Sequence, residues 1–228
     1  MIFHRAGAKI RMNYHDVLAH QIAKAVVKIF QNDKCLLEES VHEITINHRL
    51  AIYLERYFKL TDPVTKRRIL SVDLEYNRLS NSCDCITSDN YTKLLFEYKT
   101  IDGEILHDFK NVRPDIVVHE RGTNNYNVLW LETKIGSDIE LCTEDRAKVY
   151  YACSQLGFAS GVSLLIDYLS NRIVIYLVSA RHHCIEYEFE IKDDRTYILH
   201  WHEFSNFSPE PTLFPVRICS DKDIYQKR

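Results

Sequence analysis

The stretch that decides the fold is Arg113-Pro114-Asp115-Ile116-Val117-Val118-His119-Glu120, together with Val128-Leu129-Trp130-Leu131-Glu132-Thr133-Lys134. The two apolar runs, 114–120 and 128–134, read as strands, and the segment RGTNNYN between them reads as the turn of a hairpin. Sixteen residues separate Asp115 from Glu132. Paired as a hairpin, the strands set Asp115, near the start of the first, beside Glu132, near the end of the second. Glu132 and Lys134 are two residues apart on a strand and so share a face. Two carboxylates and one ammonium thus meet at one edge of a sheet. Hard divalent cations such as Mg²⁺ prefer carboxylate oxygens and water, which this cluster supplies.

Working outward, residues 13–31 place Val17, Ile22, Val26, Val27 and Phe30 at helical spacing. A second helix is expected from Ser40 to Phe58, with Ser40 and Glu43 forming a capping box and Ile46, Leu50, Tyr53 and Leu54 filling one stripe. Thr61-Asp62-Pro63 breaks it. Val72, Leu74 and Tyr76 alternate along a strand over 70–78, a polar loop covers 79–90, and 91–98 suits either helix or strand. After the central hairpin, 143–156 reads as a helix with Thr143 as its cap and Gly157 as its stop. Strands follow over 162–168 and 172–179, turning at Ser170-Asn171, and over 184–191. The segment from Ser205 onward reads as an irregular wrap.

This order predicts an α/β protein with a central mixed β-sheet flanked by α-helices. The whole of 1–228 reads as a single domain, its core at about 41–190, with an N-terminal helix and an irregular C-terminal extension. Hydrophobic residues make up 46% of the 228, enough for a sizeable core, and 27% are charged. Six glycines and five prolines argue against long disordered tracts. No run of about 18 apolar residues suggests a membrane span. Residues 1–12 lack the apolar stretch of a secretory signal and read as a short exposed arm, which with seven scattered cysteines points to free thiols in the cytoplasm. Cys83-x-Cys85 has the wrong spacing for a zinc half-site. His182-His183-Cys184, without a partner cluster, reads as a loop or strand edge. The formal net charge of −3 neither advertises nor excludes a nucleic-acid partner, because a local basic groove can sit beside an acidic metal site.

Phosphodiester chemistry divides the labour. Asp115 and Glu132 would hold Mg²⁺, which polarises a phosphoryl oxygen and lowers the pKa of bound water. Lys134 would orient that water or stabilise charge growing on the phosphate. The carbonyl of Thr133 is a further ligand candidate, since its side chain lies between two inward-pointing neighbours and faces away. A solvated strand ion pair is the competing reading of Glu132 and Lys134. Against it stand the proline before Asp115, the apolar strand that ends in the ExK triplet, and the helix that follows.

Pro114-Asp115 with Glu132-x-Lys134 resembles the motif of the PD-(D/E)xK nuclease superfamily, which implies a restriction-endonuclease-like core. The longer pattern HRLAIYLE (48–55), VDLEYNR (72–78), RPDIVVHERG (113–122) and NVLWLETK (127–134) is similar to a family of small bacterial nuclease-like proteins, over roughly residues 41–168. The resemblance implies a glutamate from an early helix, for which Glu43 is the candidate metal ligand and catalytic residue, with Glu55 behind it. Glu75 would approach from a neighbouring strand. Basic residues of 145–148, Lys148 among them, would face the substrate. His48, Arg49 and Arg113 would contact phosphate or brace the carboxylates. His119 is expected to be a structural histidine on the face of Asp115. The function so implied is an Mg²⁺-dependent nuclease, with Mn²⁺ substituting, that cuts DNA, with a homodimer compatible. The alternatives are a binding module that kept the fold without the chemistry, and a ribonuclease.

Overall fold

In the computed structural model of the chain, the described residues are 2–5, 8–11, 14–39, 41–75, 78–79, 91–92, 94–101, 104–111, 113–123, 125–136, 143–181, 183–192 and 195–204. The chain opens on a hairpin of β1 (Ile2–Arg5) and β2 (Ala8–Arg11). Helices α1 (Tyr14–Asn32), α2 (Lys34–Glu38) and α3 (Glu43–Leu54) follow, and then strand β3 (Leu70–Leu74). Two small hairpins come next: β4 (Arg78–Leu79) with β5 (Tyr91–Thr92), and β6 (Leu94–Ile101) with β7 (Glu104–Asn111). The remainder runs β8 (Ile116–Glu120), β9 (Asn127–Gly136), α4 (Thr143–Leu156), β10 (Ser160–Asp167), β11 (Arg172–Ser179), β12 (Cys184–Lys192) and β13 (Arg195–Phe204).

Seven of these strands form one sheet in the order β13-β12-β11-β10-β9-β8-β3. Its pairings are antiparallel except β9 with β10, which run parallel. A parallel neighbour needs a long crossover, and α4 is that crossover. The sheet is therefore mixed and the class α/β, as the order of elements predicts.

Period-two alternation divides the core into two layers. Ile116, Val118, Leu129 and Leu131 pack beneath α1 and α3, against Ile22, Val26, Leu50 and Leu54. Val117 and Trp130 face the other way, against Val149, Ala152 and Phe158 around α4. Each Val, Leu, Ile or Phe side chain so removed from water contributes roughly 1.5–3 kcal/mol. Leu18, Ile22, Val26 and Ile29 recur every three or four residues, which is why α1 forms a helix with one buried stripe. Gly161 lets α4 approach β10: a Cβ there would lie 2.4 Å from the carbonyl oxygen of Val149. Gly157, at φ +68°, stops α4 as expected.

Several boundaries differ from the sequence expectation. The second helix starts at Glu43 with His42 as its cap residue, so Glu43 is the first helical residue and not the third position of a capping box. Ser40 itself lies outside the described residues. The strand expected over 70–78 stops at Leu74, because Glu75 turns to φ +47° and its N–H meets the Asp115 carbonyl at 3.3 Å. In the ambiguous 91–98 segment, Tyr91–Thr92 form β5 and β6 starts at Leu94, so its described residues are strand. The described residues of the arm expected at 1–12 form the paired strands β1 and β2, and β7 and β13 add strands where no element was expected. Most of the 79–90 loop and everything from Ser205 lie outside the described residues. Among the described residues, no helix is long and apolar enough to cross a membrane.

Candidate functional site

Asp115 immediately precedes β8, and the pairing of Ile116 with Leu131 carries it alongside the last residues of β9. Its Oδ2 accepts the backbone N–H of Thr133 at 2.7 Å and lies 2.9 Å from the Thr133 hydroxyl. Alternation sends the Thr133 side chain to the α3 face while Glu132 and Lys134 share the α4 face. It does not face away from the site, however. Thr133 Oγ1 also lies 3.0 Å from Glu43 Oε1 and 2.8 Å from Asn47 Oδ1, both on α3. One hydroxyl carries one proton, so at most one of these three acceptors receives it. Thr133 therefore ties carboxylates from the two faces of the sheet into one group, a role the sequence reading missed.

On the α4 side Glu132 is buried. Its Oε1 accepts the indole N–H of Trp130 at 2.7 Å, and its Oε2 lies 3.3 Å from Lys148 Nζ. The same ammonium donates to Asp145 Oδ1 at 2.9 Å, and Lys134 Nζ is 3.7 Å from Asp145 Oδ2. Asp145 is buried, and sequence reading gave it no role. The available signal was its i, i+3 spacing to Lys148, which puts both on one face of α4.

The carboxyls sense this crowding. Burial, reinforced by Asp115, pushes Glu132 up to about 7, against the opposing pull of Lys148 and Trp130. Burial likewise raises Glu43; the Thr133 hydrogen bond opposes it, Asp115 adds to it, Lys134 opposes it and Asp145 adds to it. Burial alone would lower Lys148, but Glu132 and Asp145 hold it above its ordinary value.

Six residues singled out from sequence, namely Glu43, Glu75, Asp115, Glu132, Lys134 and Lys148, line one cavity of about 240 Å³. The left-handed backbone at Glu75 swings it to this edge beyond the end of β3. A larger cavity of about 410 Å³ opens beside α2 and the β10–β11 turn, and none of these residues lines it.

Other expectations fall outside the cavity. His48 and Arg113 are exposed, and neither lines it. Arg49 braces Asp33 at 2.9 Å and the Tyr53 hydroxyl at 3.1 Å, not a carboxylate of the site. Glu55 lies beyond the last residue of α3, where it pairs with Arg68 at 3.4 Å. His119 is the structural histidine expected: it is 2% exposed, with Nε2 2.9 Å from Asp73. Arg146 turns from the site to Glu186 at 2.6 Å and lies over the Tyr176 ring. His183 is exposed just before β12 and Cys184 is buried as its first residue, in keeping with a strand edge; His182 lies outside the described residues.

The cavity's possible ligands are the carboxylate oxygens of Glu43, Glu75, Asp115 and Glu132, a set that fits a hard cation and not a soft one. Among the described residues, though, no three His, Cys, Asp or Glu side chains form a ready-made metal-binding group. Asp115 Oδ2 is engaged by Thr133, and both oxygens of Glu132 are held by Trp130 and Lys148. No family model, no curated protein and no solved structure matches this chain.

Proposed function

We propose that the chain is a metal-dependent nuclease of the PD-(D/E)xK kind that hydrolyses phosphodiester bonds of DNA. The observation that carries the reading is the meeting of Glu43, Asp115, Glu132 and Lys134 at one cavity, from two strands and a helix far apart in sequence. Asp115, Glu132, Glu43 and the Thr133 carbonyl would hold Mg²⁺ or Mn²⁺. A divalent ion bound there supplies Lewis-acid polarisation of the phosphoryl oxygen and acidifies water.

The chain's own groups account for the remaining roles. Lys134, its side chain 44% exposed at the cavity, is placed to stabilise charge on the scissile phosphate or to orient the attacking water. Glu43, at the start of α3, and Glu75, beyond the end of β3, supply carboxylates for accepting a proton. Thr133 fixes Asp115, and Trp130 fixes Glu132, so the acidic pair is positioned before substrate arrives. The preference for DNA over RNA rests on the sequence resemblance alone.

The test is cleavage of plasmid, linear duplex, single-stranded DNA and RNA with Mg²⁺, Mn²⁺ or EDTA, with Lys134→Ala prepared in parallel. Metal-dependent cutting that disappears in the variant is the expected result. Cutting that survives the variant, or cutting unaffected by EDTA, sinks the assignment of this centre. Cutting of RNA alone replaces the DNA reading with a ribonuclease, and no cutting at all replaces it with a binding module.

A further inference from the structure

Glu132 is a buried carboxylate whose partners differ in kind. Trp130 gives a neutral hydrogen bond that cannot offset its charge, whereas Lys148 brings a full positive charge to Oε2. The Lys148 side chain is 33% exposed, so its ammonium is not locked in by packing. Asp145, one turn earlier on α4, already holds that ammonium at 2.9 Å, closer than Glu132 does at 3.3 Å. The ammonium therefore has a second anion waiting and keeps a partner if Glu132 is taken from it.

We propose that Lys148 is a built-in counter-ion that occupies Glu132 until a divalent cation displaces it, and that Asp145 then retains the displaced ammonium. The inference rests on the reading of Asp115 and Glu132 as metal ligands. One of the cavity's carboxylates is thus already spent on an internal cation. Without the metal, Lys148 lowers the cost of burying Glu132. With the metal, it must yield, so Lys148 opposes metal binding while Asp145 eases it. Lys148 and Asp145 are thus positioning residues that act through Glu132.

The test is Mn²⁺ binding to the full chain, followed by calorimetry and by the electron paramagnetic resonance of free Mn²⁺, with no substrate present. At pH 8.5, where a proton competes least for Glu132, Lys148→Met is expected to bind Mn²⁺ about tenfold more tightly than wild type, since it leaves a buried carboxylate without its cation. Asp145→Asn is expected to bind roughly threefold or more weakly, because Lys148 then has only Glu132. Added to Lys148→Met, Asp145→Asn is expected to change little. That last arm separates a role through Lys148 from the simple loss of a nearby negative charge, which would weaken binding in both backgrounds.

Equal or weaker binding by Lys148→Met overturns the proposal, and so does the absence of Mn²⁺ binding in every variant. If Lys148→Met does not fold, Lys148→Gln takes its place. A crystal of the wild-type protein soaked in Mn²⁺ gives an independent check. Lys148 Nζ should have left Glu132 and kept Asp145; an ammonium still on Glu132 beside a bound ion overturns the exchange. Failure of the nuclease reading looks different, because the binding pattern would hold while none of the nucleic acids is cut.

Discussion

The indole nitrogen of Trp130 donates a 2.7 Å hydrogen bond to Oε1 of Glu132, two residues along the same strand and on the same face. The apolar core of the α4 layer and the acidic site are thus continuous. Trp130 packs edge-on to Phe158, with ring centroids 5.4 Å apart, and carries its polar edge to the carboxylate. Trp130→Phe keeps most of the packing and removes the donor. Chemical denaturation at pH 8 should show a loss of about 1.5–3 kcal/mol, the range for a hydrogen bond to a charged group. A loss below about 0.5 kcal/mol would mean that the bond does not support the site.

Thr133 makes the second testable link. Thr133→Val keeps the shape but leaves Asp115, Glu43 and Asn47 facing a methyl group. The expected cost is about 1–3 kcal/mol, with weaker Mn²⁺ binding, while Thr133→Ser keeps both properties near wild type. Serine and valine variants that behave alike would show that the hydroxyl does not join the two faces.

The protonation of Glu132 gives a pH signature. Its folded-state carboxyl titrates near 7 instead of its ordinary 4.5, because of burial first. Between those values the folded metal-free protein binds more protons than the unfolded chain does, so its stability falls as pH rises. The contribution is fully present below about 4.5 and lost once pH passes about 7. Denaturation midpoints of wild type should therefore decline relative to Glu132→Gln across that window. Parallel curves from pH 4.5 to 8 would refute the raised carboxyl.

Close packing of α4 on β10 depends on Gly161. A methyl group there would meet the Val149 carbonyl at 2.4 Å, and a backbone atom cannot move aside as a flexible side chain can. Gly161→Ala should destabilise the fold by about 1–3 kcal/mol or more. It should also disturb Lys148, which neighbours Val149 on the helix, so Mn²⁺ binding is measured together with thermal melting. Unchanged melting would show that α4 can withdraw from the sheet without cost.

Alternation along 114–120 and 128–134 was enough to predict the β8–β9 hairpin. With it came the approach of Asp115 to Glu132 and the common face of Glu132 and Lys134, because a strand has period two and a hairpin fixes register. Helical spacing gave α1 and α4 within one residue at either end, and Gly157 gave the stop of α4. The start of α3 was misjudged because Ser-x-x-Glu is a local pattern, whereas the backbone turns helical only at Glu43. Which expected residues gather at one cavity was decided by tertiary structure. Arg49 lies on the same helix as Glu43, yet its partner is Asp33 across the α1–α3 packing. Asp145 carries no signal of burial in the sequence; the crossover lays its helix over β9 and buries it between two lysines. Sequence periodicity fixes what points to the same side of an element. Only the packing of α3 and α4 on opposite faces of one sheet determines which charges must share a low-dielectric space, and so which of them pair.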